Sequence, residues 1–131
     1  MHTLYCLAYL AARRGDLASA RNLTAEALAT ARVTYDYAPY TWYGLDLYAI
    51  IAQASGQSER AARLAGAATA LREANRTPRH PIWRTLLRRV QVPVERPSED
   101  RETAAWDEGL AMTVDQAVVY ALEETSGGFT V

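Results

Sequence analysis

The chain contains no lysine, only one cysteine and no long apolar segment. All 14 of its basic residues are arginine, which excludes a Walker-type phosphate-binding lysine and a Schiff-base lysine. The lone Cys6 excludes an internal disulfide and is typical of a protein from the reducing cytoplasm, where we expect this protein. No apolar run reaches roughly 18 residues and no secretory signal pattern opens the chain, so we expect no membrane span.

Motifs of the common catalytic and metal sites are also absent. The histidines, His2 and His80, stand outside any His-Glu-x-x-His pattern, and no cysteine pair is present to bind zinc. No Gly-x-Ser-x-Gly nucleophile elbow occurs. Asp107 and Glu108 are adjacent, but neighbours on a helix point in different directions and form no acid/base pair. We therefore expect no enzyme, no catalytic residues, no metal site and no cofactor.

Charge is distributed unevenly along a chain whose formal net charge is only −1. Segment 56–96 contains nine arginines and three acidic residues, whereas segment 97–131 contains eight acidic residues and one arginine. A basic face of this kind either binds nucleic acid, is neutralised by the acidic C-terminal helices, or is simply solvated. Because the chain as a whole is not basic, we expect neutralisation or solvation and no direct contact with nucleic acid. The arginines concerned are Arg72, Arg76, Arg79, Arg84, Arg88 and Arg89.

A degraded internal repeat organises the N-terminal half. A shift of about 41 residues places Gly15 on Gly56, Ala20 on Ala61 and Leu23 on Leu64. Each copy has apolar residues at helical spacing on both sides of a turn that contains glycine. Glycine favours the left-handed conformation after a helix. The repeat predicts two helical hairpins, with helices at 3–14, 17–32, 41–55 and 58–74. Residues expected to face inward are Leu4, Leu7, Ala8, Ala11, Ala20, Leu23, Ala27, Ala31, Leu45, Tyr48, Ala49, Ala52, Ala61, Leu64, Ala65, Ala68 and Leu71.

Three further helices are predicted after the hairpins. The first, at 81–91, has Ile82, Leu86 and Val90 on one face. An extended linker at 92–97 follows, because its prolines are incompatible with a helix. The second helix begins after a Ser98 cap and ends near Gly109, and the third spans 114–123. Asp16 is expected to cap the second helix of the chain, and Thr113 and Gln116 to form a capping box. From Thr125 onward we expect a frayed tail.

Small residues at matched positions of the two hairpins (Ala8 and Ala20, Ala49 and Ala61), with glycine at the turn, resemble tetratricopeptide-type repeats. The longer period is similar to that of the arrays in large bacterial ATP-dependent transcriptional regulators of the LuxR and MalT type. Segments 59–74 and 105–122 resemble the last repeat of such an array and its closing helices. The nucleotide-binding and helix-turn-helix modules of those regulators have no counterpart in this sequence.

The resemblance implies one all-α domain over 1–131. A stack of about two tetratricopeptide-like hairpins would occupy 1–74, two or three capping helices 75–124, and a tail 125–131. The implied function is a non-catalytic protein-interaction or effector-sensing module of a bacterial transcriptional regulator. The alternative is a stand-alone small-molecule-binding protein that uses the aromatic residues around Trp42.

Aromatic and polar residues of the first and third helices are the candidate binding residues. In stacked hairpins these helices line the concave face, so their side chains form either a groove for a protein, peptide or small effector, or a seam between helices. The aromatic link around Trp42 likewise either binds a ligand or fills the gap left by the longer repeat. The candidate residues are Tyr5, Tyr9, Arg13, Tyr40, Trp42, Tyr43, Asp46 and Gln53.

Two further expectations concern the first helix. Its outer face would expose Tyr5 and Tyr9, because no helix precedes it in this sequence. Either a longer parent array covers this face or the domain self-associates; if the chain is complete, we expect a homodimer. Cys6 lies beside core positions, so we expect a buried and inert thiol.

Overall fold

The computed structural model describes residues 2–34, 41–77 and 81–128, and every regular element within these ranges is an α-helix. The chain is therefore all-α, as predicted. No helix in the described ranges is both long and apolar enough to cross a membrane. The helices are α1 (His2–Arg13), α2 (Leu17–Thr34), α3 (Thr41–Ala54), α4 (Ser58–Ala74), α5 (Pro81–Arg89), α6 (Asp100–Leu110) and α7 (Val114–Gly128).

Two turns of the same geometry join α1 to α2 and α3 to α4. Gly15 and Gly56 have φ angles of 81° and 79°, in the left-handed region that glycine enters without steric cost. In each turn the next residue donates its N–H to the carbonyl oxygen five positions earlier, over 2.9 Å from Asp16 and 2.8 Å from Gln57. Asp16 also accepts a hydrogen bond at 3.2 Å from the Ser19 N–H. These bonds confirm the predicted glycine turns and the predicted Asp16 cap.

The first four helices pack in chain order: α1 against α2, α2 against α3 and α3 against α4, and α1 also contacts α3. The small residues predicted to face inward lie in the core, and the four predicted in α3 are all buried. Leu7 is the exception, because its side chain is 46% exposed. The prediction for Leu7 is wrong, since Tyr5, together with the correctly predicted Ala8 and Ala11, supplies the buried face of α1.

Two glycines let α6 pack backbone to backbone against α4. A Cβ atom at Gly66 would collide with the carbonyl group of Trp106, and one at Gly109 with the carbonyl group of Arg63. Because only glycine lacks a Cβ atom, these two positions set how closely the helices approach. α6 ends at Leu110, one residue after the end predicted near Gly109.

The start of α6 differs by one residue from the sequence prediction. Glu99, and not Ser98, is the N-cap residue, and no side chain caps the helix. The Thr103 N–H donates to the Glu99 carbonyl oxygen at 2.8 Å, which makes Glu99 the first acceptor of the helix. The linker at 92–97 is non-helical, as predicted.

The last helix, α7, turns back toward the N-terminal half and contacts α2, α3 and α4. Its start is the predicted capping box: the Thr113 N–H donates to Gln116 Oε1 at 2.9 Å, and the Gln116 N–H donates to Thr113 Oγ1 at 3.1 Å. The helix extends to Gly128 rather than ending at Glu123. Glycine costs a helix only about 1 kcal/mol, so the pair at its end does not prevent the extra turn. Residues 129–131 of the predicted tail lie outside the described ranges.

Candidate functional site

Four aromatic side chains form a cluster where α5 meets α1 and α3. The ring of Trp83 on α5 lies 5.1 Å from the ring of Tyr9 and 5.0 Å, edge to face, from the ring of Tyr43. Tyr43 in turn stacks on Trp42 at 4.0 Å. These separations are typical of stabilising aromatic pairs. Residues of the predicted groove are thus in contact with a helix of the same chain.

A buried hydrogen bond fixes Trp83 in this aromatic cluster. Its indole Nε1–H donates to Oδ2 of Asp46 at 2.8 Å. Asp46 is fully buried and Trp83 is only 6% exposed, so both polar groups are removed from water. Hydrogen bonds to charged groups are stronger than neutral ones. Asp46, which the sequence suggests as a ligand-binding group, therefore anchors α5 in this structure.

The buried face of α5 differs from the prediction by one position. Trp83 and Leu87 are buried, whereas Leu86 and Val90 are only half-buried. The side chain of Ile82 lies outside the described residues. The spacing of Trp83 and Leu87, four residues apart and hence on one helix face, is the sequence signal for the observed face.

The predicted binding residues fall into three classes of exposure. Three are buried and therefore inaccessible in this conformation, three are half-buried, and one is exposed. Tyr40 lies outside the described residues. The buried residues are Tyr5, Trp42 and Asp46, the half-buried ones are Tyr9, Tyr43 and Gln53, and the exposed one is Arg13.

Tyr5 lies in the core and does not contribute to an exposed face, so that expectation is wrong. Its side chain is 4% exposed and packs close to Gly44, where an added Cβ atom would lie 3.0 Å from the tyrosine ring. Burial raises the pKa of the Tyr5 hydroxyl far above its usual value, an effect that the neighbouring Thr41 partly offsets. Because Gly44 has no side chain, the core has space for Tyr5, which the helix pattern alone would place on the surface.

An open cleft lies beside the aromatic cluster, between α1 and α5. It has a volume of about 260 Å³, and Tyr9 and Arg13 contribute from α1. We call it the α1–α5 cleft. Its lining residues are Tyr9, Arg13, Pro81, Thr85, Leu86 and Arg89. Two predicted binding residues, Tyr9 and Arg13, therefore line one surface cleft.

Acidic residues of α6 pair with arginines, as expected, but with arginines other than those predicted. Arg63 lies 3.1 Å from Glu108. Arg96 donates two hydrogen bonds to the Asp107 carboxylate, at 3.0 and 2.8 Å, and these hold the pKa of Asp107 below its usual value. The acidic helices thus neutralise the α4 side of the molecule and the linker.

The arginines of α5 form no ion pair with the acidic residues of α6 in the described part of the chain. Arg88 lies 4.0 Å from Glu95, a distance at the limit of an ion pair. In the described part of the chain, Arg84 and Arg89 have no carboxylate within 4.0 Å. For this helix, neutralisation by α6 is not observed within the described ranges, because the acidic residues of α6 pair instead with arginines of α4 and the linker; its exposed arginines fit the solvated alternative.

Metal-binding and thiol chemistry receive no support from the described residues. Within the ranges 2–34, 41–77 and 81–128, no group of three or more His, Cys, Asp or Glu side chains is arranged to hold a metal ion. Cys6 is exposed, so the expectation of a buried thiol is wrong. It lies on the same side of α1 as the exposed Leu10, four residues later.

No protein family, curated protein or solved structure matches this chain.

Proposed function

We propose that this chain is a non-catalytic protein-interaction module. It is a tetratricopeptide-like hairpin stack of the kind that closes the repeat array in bacterial transcriptional regulators. The observation that carries this proposal is an apolar face of α1 that no described part of the chain covers. On a small helical domain, contiguous exposed apolar residues generally mark a surface for another protein.

The uncovered face consists of Cys6, Leu7 and Leu10, and we call it the α1 face. Leu7 and Leu10 are 46% and 47% exposed, and Cys6 is exposed as well. Residues three and four positions apart lie on the same side of a helix, so the two leucines and the thiol are neighbours. Together they form a small apolar patch that faces solvent.

The internal repeat indicates what kind of partner fits the α1 face. A shift of 41 positions places the face on Leu47, Tyr48 and Ile51 of α3, which are 0%, 1% and 4% exposed. They are buried on a helix that packs against α1 and α2, and Ile51 clusters with Ala11 and Ala20 of that hairpin. On the equivalent helix, therefore, a helical hairpin supplies the cover. The partner of the α1 face is accordingly another helical hairpin.

For this chain, the proposed partner is the hairpin of a second copy. The other end of the stack is already closed, because α6 packs on α4 through Gly66 and Gly109. A second copy cannot continue the stack head to tail at that end. Association through the α1 face alone pairs the same surface of both copies about a two-fold axis, which gives a closed homodimer.

The size of the α1 face bounds the affinity of this homodimer. Burying the exposed half of a leucine contributes about 1 kcal/mol, so four leucines from two copies contribute about 4 kcal/mol. Association costs about 4–15 kcal/mol, so neighbouring residues of α1 and α2 must also contribute. We therefore expect a dissociation constant in the micromolar rather than the nanomolar range.

Light scattering tests the homodimer. Between about 1 and 200 µM chain, the mass is expected to rise from monomer toward dimer. The variant Leu7→Glu/Leu10→Glu is expected to remain monomeric, with its helical circular dichroism unchanged. Val33→Glu is the matched control, because Val33 is 79% exposed and its repeat equivalent, Ala74, is exposed as well. A wild-type chain that stays monomeric throughout, or a control that loses association equally, overturns the proposal.

The exposed thiol gives a second, local readout. Cys6 is the only cysteine, so a short bis-maleimide reagent reports whether two copies bring their α1 faces together. We expect a cross-linked dimer for the wild type, and its loss in the Leu7→Glu/Leu10→Glu and Cys6→Ser variants. A dimer seen by light scattering without cross-linking would place the interface elsewhere and contradict the assignment to the α1 face.

No observation favours the second candidate function, a small-molecule-binding protein that uses the residues around Trp42. Trp42 is 1% exposed and stacks on Tyr43. It does not line the α1–α5 cleft. Its position is that of a core residue.

A further inference from the structure

The α1–α5 cleft combines two positive charges with an apolar wall. Arg13 and Arg89 approach it from α1 and α5, and both side chains are exposed. Among the described residues, none that lines the cleft is a carboxylate, and neither guanidinium lies within 4.0 Å of one. The cleft therefore offers charge for an anion.

The other residues that line the cleft determine what kind of anion it can bind. Tyr9, Pro81 and Leu86 give the cleft an apolar side. The hydroxyl of Thr85 donates to the Pro81 carbonyl oxygen at 2.9 Å, so its proton is engaged within α5. Arg13 lies over the ring of Tyr9, with its guanidinium carbon 5.8 Å from the ring centroid, which places charge next to the apolar surface. An anion whose charged group adjoins an apolar group matches this arrangement.

The surroundings of the cleft reinforce its preference for anions. The sequence of α5 contains three arginines and no acidic residue. The acidic residues of α6 pair instead with Arg63 and Arg96. Although the whole chain carries a formal charge of −1, α5 itself is therefore basic.

We infer that the α1–α5 cleft is a binding site for a carboxylate attached to a small apolar group. The carboxylate lies between Arg13 and Arg89, and the apolar group packs on Tyr9 and Leu86. The cleft volume of 260 Å³ suits a ligand of about 10–15 non-hydrogen atoms, since larger ligands occupy pockets of about 300–1,000 Å³. A free aromatic acid and the C-terminal residue of a peptide share this chemistry.

N-acetyl-phenylalanine is the probe, because it presents one carboxylate beside one aromatic ring. Binding is measured by isothermal titration calorimetry and by NMR shifts of the α5 amides, up to about 20 mM ligand. We expect a dissociation constant in the millimolar to high micromolar range, which weakens as salt screens the arginines. N-acetyl-phenylalanine amide, which has the same ring and no charge, is expected to bind at least about tenfold more weakly.

Arginine variants locate the site. Arg13→Gln and Arg89→Gln are each expected to weaken binding at least about fivefold. Arg14→Gln and Arg84→Gln are the matched controls: Arg14 directly follows α1, Arg84 lies on α5, both are exposed, and neither lines the cleft. If the control variants lose as much affinity for the acid, net charge alone attracts it, and the proposed site is refuted. Equal binding of the amide, or no binding of the acid over the whole range, would overturn it as well.

A peptide arm distinguishes the two sources of the carboxylate. A pentapeptide ending in a free phenylalanine is compared with the same peptide amidated at its C-terminus. Tighter binding of the free-acid peptide than of N-acetyl-phenylalanine identifies a peptide terminus as the ligand, whereas weaker binding identifies a free acid. A Leu7→Gln/Leu10→Gln variant separates this site from the homodimer: neither leucine lines the cleft, and glutamine adds no charge one helical turn from Arg13, so acid binding is expected to persist.

Discussion

Replacing Gly109 by alanine tests how closely α4 and α6 approach. Helix propensity alone predicts that the change stabilises α6 by about 1 kcal/mol. The added Cβ atom, however, would overlap the Arg63 carbonyl group and lie 3.0 Å from the Ala67 nitrogen. These are backbone atoms, so the helices themselves must separate to relieve the collision.

On balance, we expect Gly109→Ala to destabilise the folded protein. Overpacking of a core typically costs about 1–3 kcal/mol, and separation of α6 also loosens the contacts of the buried Ala105 and Trp106. After the gain in propensity, we expect a net loss of about 2 kcal/mol. For a domain of this size this corresponds to a melting temperature lower by about 6–10 °C.

Thermal and urea unfolding followed by circular dichroism at the helix band measure this loss. Gly44→Ala is the matched control in another buried helix. The nearest atoms to its new Cβ atom belong to the side chains of Leu28, at 2.8 Å, and Tyr5, at 3.0 Å, which have more freedom to move than backbone. We expect the control to lose less than half as much stability. A Gly109→Ala variant as stable as the wild type would refute the backbone-to-backbone packing of the two helices.

Two further predictions concern single interactions. Trp83→Phe removes the Nε1–H that donates to Asp46 at 2.8 Å, and Asp46→Ala removes the acceptor; a double-mutant cycle of the two, followed by urea unfolding, is expected to give a coupling of about 2 kcal/mol, and additivity would contradict it. Arg96 lowers the pKa of Asp107, so its stabilising effect is complete above the ordinary aspartate pKa and is lost as pH falls below about 4. The difference in urea midpoint between the wild type and Asp107→Asn is therefore expected at pH 7 and should vanish near pH 2; a difference independent of pH would contradict it.

The parts of the fold that depend on neighbouring residues in the chain were predictable from the sequence. Gly15 and Gly56 adopt the predicted left-handed turns because that conformation depends on the glycine and its helix. The capping box between Thr113 and Gln116 is equally local. Packing partners were not predictable in this way: nothing in the helix pattern shows that Gly109 meets the backbone of α4.

The candidate site was predicted only in part, for a related reason. The spacing on α1 marked Tyr9 and Arg13, and both line the α1–α5 cleft. The pattern did not show that α5 crosses this surface and supplies Trp83 and Arg89, because the path of the chain after α4 is a tertiary property. An aspartate such as Asp46 also has no sequence signal that separates a ligand-binding carboxylate from one that accepts a bond from a tryptophan.

The return of α7 to the N-terminal half has a consequence for how this protein unfolds. In a linear stack each hairpin contacts only its neighbours, so unfolding can begin at one end and proceed unit by unit. Here α7 contacts α2, α3 and α4, and Asp115 of α7 lies 3.7 Å from Arg32 of α2. The last helix therefore packs against the first helices of the chain. As a result, α1 and α2 cannot separate from the rest without also breaking the contacts of α7. We therefore expect the chain to unfold as one cooperative unit.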